Sequence, residues 1–219
     1  MAQGTTPPGK TWESGAVQSS TRVLVIACAA LVREMRVVLE QLTSGGGLTF
    51  ETEYLPAPLH NRPELIPAAV RGIIEERGQE FDRILVGYAD CGTGGLLDAA
   101  LAGTGAVRLP GAHCYEFFAT STVFSAWHEE ELGTFYLTDF LARHFDALVV
   151  GGLGLDRHPE LRDMYFGHYT RVLLLTQSDD PTLLELGQVA AVRLGLAFEH
   201  RHVGLDPFAL AIEQALNDR

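Results

Sequence analysis

Arg83-Ile-Leu-Val-Gly-Tyr-Ala-Asp-Cys-Gly-Thr-Gly-Gly-Leu-Leu-Asp98 reads as an apolar strand that stops at a carboxylate and a thiol, turns on glycines and opens into a helix. In an open α/β sheet, ligands collect in the crevice beyond the carboxyl ends of the strands. Asp90 and Cys91 stand at such an end. The glycines at 92, 94 and 95 permit a sharp turn and close approach of backbone amides to a ligand, so Gly92, Thr93, Gly94 and Gly95 are candidate binding residues.

Working outward, the same design recurs in Val23-Leu-Val-Ile-Ala-Cys28, Ala147-Leu-Val-Val-Gly-Gly-Leu-Gly154 and Val172-Leu-Leu-Leu-Thr-Gln177. Each is an apolar strand, then a small or polar loop, then a helix. Repeated strand-loop-helix units predict a three-layer α/β fold with a mostly parallel sheet. Leu48 to Leu55 alternates apolar and acidic residues, as a half-exposed strand near a sheet edge does. Further strands are expected at Ala106 to Leu109, Asp146 to Val150 and Leu196 to Val203. Helices are expected from Ala29, Glu64, Pro181 and Pro207. Residues 1–20 read as a disordered lead-in, and residues 21–219 as one α/β domain, built as a unit or as two pseudo-repeated halves meeting at a cleft.

Composition limits the function. With 28 acidic against 16 basic residues, the formal charge of -12 excludes a general phosphate-backbone binder, so no nucleic-acid partner is expected. No apolar run approaches the roughly 20 residues that cross a bilayer, so no membrane partner is expected either, and a cytoplasmic location is the default. The glycine turn matches neither a Walker motif nor GxGxxG in frame, and no Gly-x-Ser-x-Gly elbow is present.

Three cysteines, Cys28, Cys91 and Cys114, each follow an expected strand directly. If the strands are parallel, all three open at one edge of the sheet. Thiolates select zinc, copper(I) or iron-sulfur clusters, and three protein ligands leave a coordination position open for substrate. The expectation is therefore a metal-thiolate enzyme holding zinc or a [4Fe-4S] cluster and acting on a small-molecule substrate. Around it, Asp90, His113 and Glu116 are candidate acid-base residues. His60, Asn61 and Arg62, on the proline-braced loop Pro56 to Glu64, are candidate binding residues.

Leu59-His-Asn-Arg-Pro-Glu64, Tyr88 to Asp98, Pro110-Gly-Ala-His-Cys-Tyr-Glu-Phe-Phe118 and Gly133-Thr-Phe-Tyr-Leu-Thr138 resemble a bacterial and archaeal domain family of unassigned function, over about residues 21 to 205. The resemblance implies a setting in corrinoid-dependent methyl transfer, with a corrinoid protein or methyltransferase as partner. It supplies no catalytic residue. Two functions follow as expectations: a metal-thiolate enzyme of one-carbon transfer, or a non-catalytic metal or cofactor carrier serving such a system.

Overall fold

A computed structural model describes residues 20–217, so the expected lead-in lies, but for Ser20, outside the described residues. Two all-parallel sheets flanked by helices form a three-layer α/β architecture. The first sheet has the order β2-β1-β3-β4, from β1 (Thr21–Cys28), β2 (Leu48–Leu55), β3 (Arg83–Gly87) and β4 (Val107–Arg108). The second has the order β5-β6-β7, from β5 (Thr134–Thr138), β6 (Arg171–Thr176) and β7 (Ala197–His202).

Strand position follows from composition. β1, central, shows no exposure from Val23 to Ala27, whereas β2, with Glu51 and Glu53, occupies an edge as its alternation predicts. All six residues of β6 are buried between its two neighbours. Strands covered on both faces read as continuous apolar runs.

The helices follow the 3.6-residue period. α1 (Val32–Ser44) buries Met35, Val38 and Leu39, and α2 (Ile66–Arg77) buries Ile66, Val70 and Ile74. α3 (Leu96–Leu101) leaves the glycine turn. α4 (Ser121–Glu130) begins where the Thr120 hydroxyl accepts the Val123 amide at 3.4 Å. α5 (Asp139–Arg143) and α6 (Leu161–Phe166) are short. α7 (Thr182–Leu194) starts beside Asp180, which takes the Thr182 amide at 3.0 Å, and stops at Gly195 with φ of 74°. α8 (Asp206–Asn217) returns to the first sheet, where Phe208 stacks on Phe117 with centroids 5.8 Å apart. Among the described residues no helix is long and apolar enough to cross a membrane.

Two expected strands change. Asp146 to Val150 is a wide π-type helical turn, Asp146–Gly151, and not a strand. Ala142, Phe145 and Val149 are buried at helical spacing, and a short apolar run alone does not separate buried strand from buried helix. The strand place goes instead to Thr134–Thr138, rich in β-branched and aromatic residues. The expected Ala106 to Leu109 strand shortens to Val107–Arg108.

Gly87 lies opposite Ala27 in the β1–β3 pairing, and a Cβ there would meet Ala27 Cβ at 2.7 Å and Met35 Cε at 2.9 Å. The Gly87→Ala variant is expected to lose about 1–3 kcal/mol through overpacking. Urea denaturation measures it, and a change under about 0.5 kcal/mol would refute this view of the strand contact.

Candidate functional site

The thiols come together through backbone bonds that sequence does not announce. Cys28 ends β1. Beyond β3 the Asp90 amide donates to the Gly111 carbonyl at 3.1 Å and the Cys91 amide to the Ala112 carbonyl at 2.8 Å. Those two bonds lay the glycine turn alongside the loop after β4. On that loop, Glu116 Oε1 accepts the amides of Ala112 and His113, both at 2.9 Å, and folds Cys114 back toward Cys91. Cys91 adopts φ of 48°, the single positive φ outside glycine among the described residues. A side chain held there costs energy and recurs at functional sites.

Cys28 and Cys91 are each 5% exposed. The Cys91 thiol is pulled below its ordinary value of 9.0, first by a hydrogen bond from the Cys114 thiol and further by the amides of Ala89 and Cys114, against the opposing effect of burial. Cys114 is pushed well above it, first because ionising would forfeit that bond and then by burial. When the pair loses a proton, the hydrogen bond favours losing it from Cys91, with Cys114 keeping its own. Burial raises the Cys28 thiol, and Cys28 is close enough to respond to the charge of Cys91. Among the described residues, no three or more His, Cys, Asp or Glu side chains stand, as posed, in position to enclose one ion.

Tyr88 lies among these thiols. It is 2% exposed, and its hydroxyl finds no well-formed hydrogen bond among the described residues. The Cys28 sulfur lies within weak hydrogen-bonding reach of it, with Cys91 and Cys114 beyond, and burial pushes the phenol's pKa up strongly, so that it stays protonated. Leaving a buried hydroxyl unpaired costs about 1–3 kcal/mol.

Beside the thiols a cavity of about 310 Å³ separates the ends of β1 and β2 from β5, the edge strand of the second sheet. Cys28, Cys114, His60, Asn61 and His113 line it from the first half, and Tyr136, Phe140 and Leu148 from the second. Burial lowers the His60 and His113 imidazoles, so both are neutral near pH 7. A larger hollow of about 500 Å³ elsewhere holds Arg162 and Arg193, but each is paired with an aspartate, Asp163 and Asp146 respectively. It contains none of the candidate residues.

Other candidates have local tasks. Asp90 turns into its own loop, accepting Thr93 Oγ1 at 2.9 Å and the amides of Gly94 at 3.0 Å and Gly95 at 2.8 Å. Thus Gly92, Thr93, Gly94 and Gly95 wrap a carboxylate supplied by the chain itself. Glu116 is occupied in the same way. Arg62 is exposed and pairs with Glu64 at 3.2 Å, outside the cavity.

Sequence reasoning missed the rings of Tyr88, Tyr136 and Phe140. It also missed Asp139, which takes the amides of Gln177 at 2.9 Å and Ser178 at 3.1 Å and so joins the ends of β5 and β6. Reading Thr134–Thr138 as a strand would have placed Asp139 at a strand end. Glu34, in α1, is 6% exposed with Oε2 unpaired among the described residues, and burial raises its carboxyl.

The Asp90 carboxyl is held below its ordinary 3.8, first by the Gly95 amide and then by Thr93 and Gly94. A depressed folded-state value means stability that is present above the unfolded value and lost as pH falls through the folded one. Asp90→Asn should therefore lower the urea midpoint most near pH 7, and the gap from wild type should shrink as pH falls below about 4. A gap constant from pH 7 to pH 3 would contradict this role.

Residues 54–212 match the model of a family described as "Protein of unknown function (DUF1638)". The matched stretch includes Cys91 and Cys114 and begins after Cys28. No curated protein matches the chain.

Proposed function

The chain belongs to the DUF1638 family, and we propose that Cys28, Cys91 and Cys114 hold a soft metal, zinc or an iron-sulfur cluster, beside a cleft in which a small substrate reacts. The observation that carries this reading is the gathering of three thiols from three strand ends around the Tyr88 hydroxyl, which among the described residues has only the weakly accepting Cys28 sulfur beside it. A buried hydroxyl without a partner is unfavourable until something beside it accepts its proton. A metal-bound thiolate is such an acceptor, and hydrogen bonds of this kind orient ligands and tune their basicity.

Bound there, the metal would supply a Lewis acid that lowers the pKa of a thiol, amine or water in its open position. The chain does the rest. Cys91 offers a sulfur already disposed to ionise, and Cys114 releases its proton when it too becomes a ligand. Closing the set needs side-chain rotation, because the thiols as posed do not yet enclose an ion. His60 and His113, both neutral, face the cleft from the first half, where either could take up a proton. The expected setting of the family in corrinoid-dependent methyl transfer would fit a methyl acceptor activated in this way. Burial of Cys28 and Cys91 favours a resident metal over a carrier, which has to expose its ligands for hand-off.

Anaerobically purified protein is expected to contain close to one zinc or one cluster per chain. Cys91→Ser should remove it. Tyr88→Phe should leave the metal-free protein as resistant to urea as wild type, or slightly more so, while speeding metal loss to a chelator roughly ten- to hundred-fold. Metal below about a tenth of an equivalent, or full retention in each single cysteine variant, would overturn the proposal.

A further inference from the structure

Three features of the cleft describe what it would accept. First, among the described residues none of the side chains lining it is Asp, Glu, Lys or Arg, although a fifth of the chain is charged. A charged ligand entering it would surrender its hydration with no permanently charged side chain of the lining to meet it.

Second, one wall is a run of stacked rings. His113 lies on Tyr115 with centroids 4.9 Å apart and planes 20° apart, and Tyr115 lies on Tyr136 at 5.0 Å and 17°. With Tyr115 covered on its two faces by His113 and Tyr136, such a stack meets a ligand through ring edges, which favour the faces of planar, apolar partners.

Third, Tyr136 lines the cavity, is 6% exposed, and has a buried hydroxyl with no hydrogen-bond partner among the described residues. The nearby Thr134 hydroxyl donates to the Glu131 carbonyl at 2.6 Å and accepts Arg171 Nε at 2.8 Å, which leaves its contact with Tyr136 a weak one. A weakly paired hydroxyl in an uncharged pocket is the sort of polar group that fixes ligand orientation.

We propose that the cleft binds an uncharged, ring-bearing organic molecule of roughly ten to fifteen non-hydrogen atoms, with a hydrogen-bonding group that meets Tyr136. The size follows from the cavity of about 310 Å³. This names the substrate class for the thiolate site and rests on reading the cleft as the substrate side of that site. The ring system lies against the Tyr115–Tyr136 wall, and Cys28 and Cys114 border the same space.

The test uses the full-length protein as purified anaerobically, with calorimetric titration of 2-naphthol, naphthalene and 2-naphthoate, and metal content measured on each sample. 2-Naphthol should bind saturably at one per chain, and 2-naphthoate at least about tenfold more weakly. Tyr136→Phe should weaken 2-naphthol about tenfold, to the level of naphthalene, and leave naphthalene unchanged. Leu148→Trp, which fills the cavity, should abolish binding of both. Retained 2-naphthol binding by metal-free Cys91→Ser supports the ligand class independently of the metal. No saturable binding of 2-naphthol by metal-loaded protein overturns the ligand class while leaving the metal reading standing. Equal affinity for 2-naphthoate, or indifference to Tyr136→Phe, overturns it as well.

Discussion

The parallel pairing of β1 between β2 and β3 is the constraint on which the rim of the molecule depends. Cys28 pairs with Leu55 and Ala27 with Gly87, so the carboxyl ends of three strands stop at nearly one level. The close contact of Gly87 with Ala27 brings β3 tight against β1, and Tyr88 emerges directly beyond it. In a parallel sheet every loop after a strand opens on the same edge. Cysteines 63 and 23 residues apart in the chain thereby reach one small volume, the last step being made by the bonds from residues 90 and 91 to 111 and 112.

Unfavourable features concentrate at this edge. Cys91 is held at positive φ, the Tyr88 and Tyr136 hydroxyls lack partners among the described residues, and Glu34 is buried with one oxygen unpaired. Other polar groups are well paired, as Asp90 is in its glycine turn and Arg171 is with Glu199 at 2.8 Å, although Arg201 Nε on β7 also lacks a partner among the described residues. Local rules are commonly broken at functional sites and kept elsewhere. Tyr136 lines the cleft itself, and Tyr88 and Cys91 stand among the thiols that border it.

Much of the fold was legible because apolar runs such as Val23 to Ala27 and Val172 to Leu175 have only one comfortable place, the middle of a parallel sheet. The edge position of β2 was written in its glutamates. Asp146 to Val150 misled, since five apolar-rich residues carry no period of their own and the decisive partners, Ala142 and Phe145, lie upstream. That error hid β5, and with β5 the second wall of the cleft. The cysteines could be placed at strand ends from sequence. Their mutual contact could not, because it depends on the Glu116 carboxylate folding a loop and on backbone bonds between distant residues. Likewise Asp90 and Glu116 have the chemistry of acids and bases, and only their hydrogen bonds reveal that they hold loops.

The central claim is that sulfur from three separate strand ends surrounds one metal. X-ray absorption at the metal edge of anaerobically prepared protein tests it most directly. The account predicts a shell of sulfur neighbours at about 2.3 Å, reduced in Cys28→Ser as well as in Cys91→Ser and Cys114→Ser. A shell of nitrogen and oxygen alone, or a sulfur shell indifferent to Cys28→Ser, would contradict it.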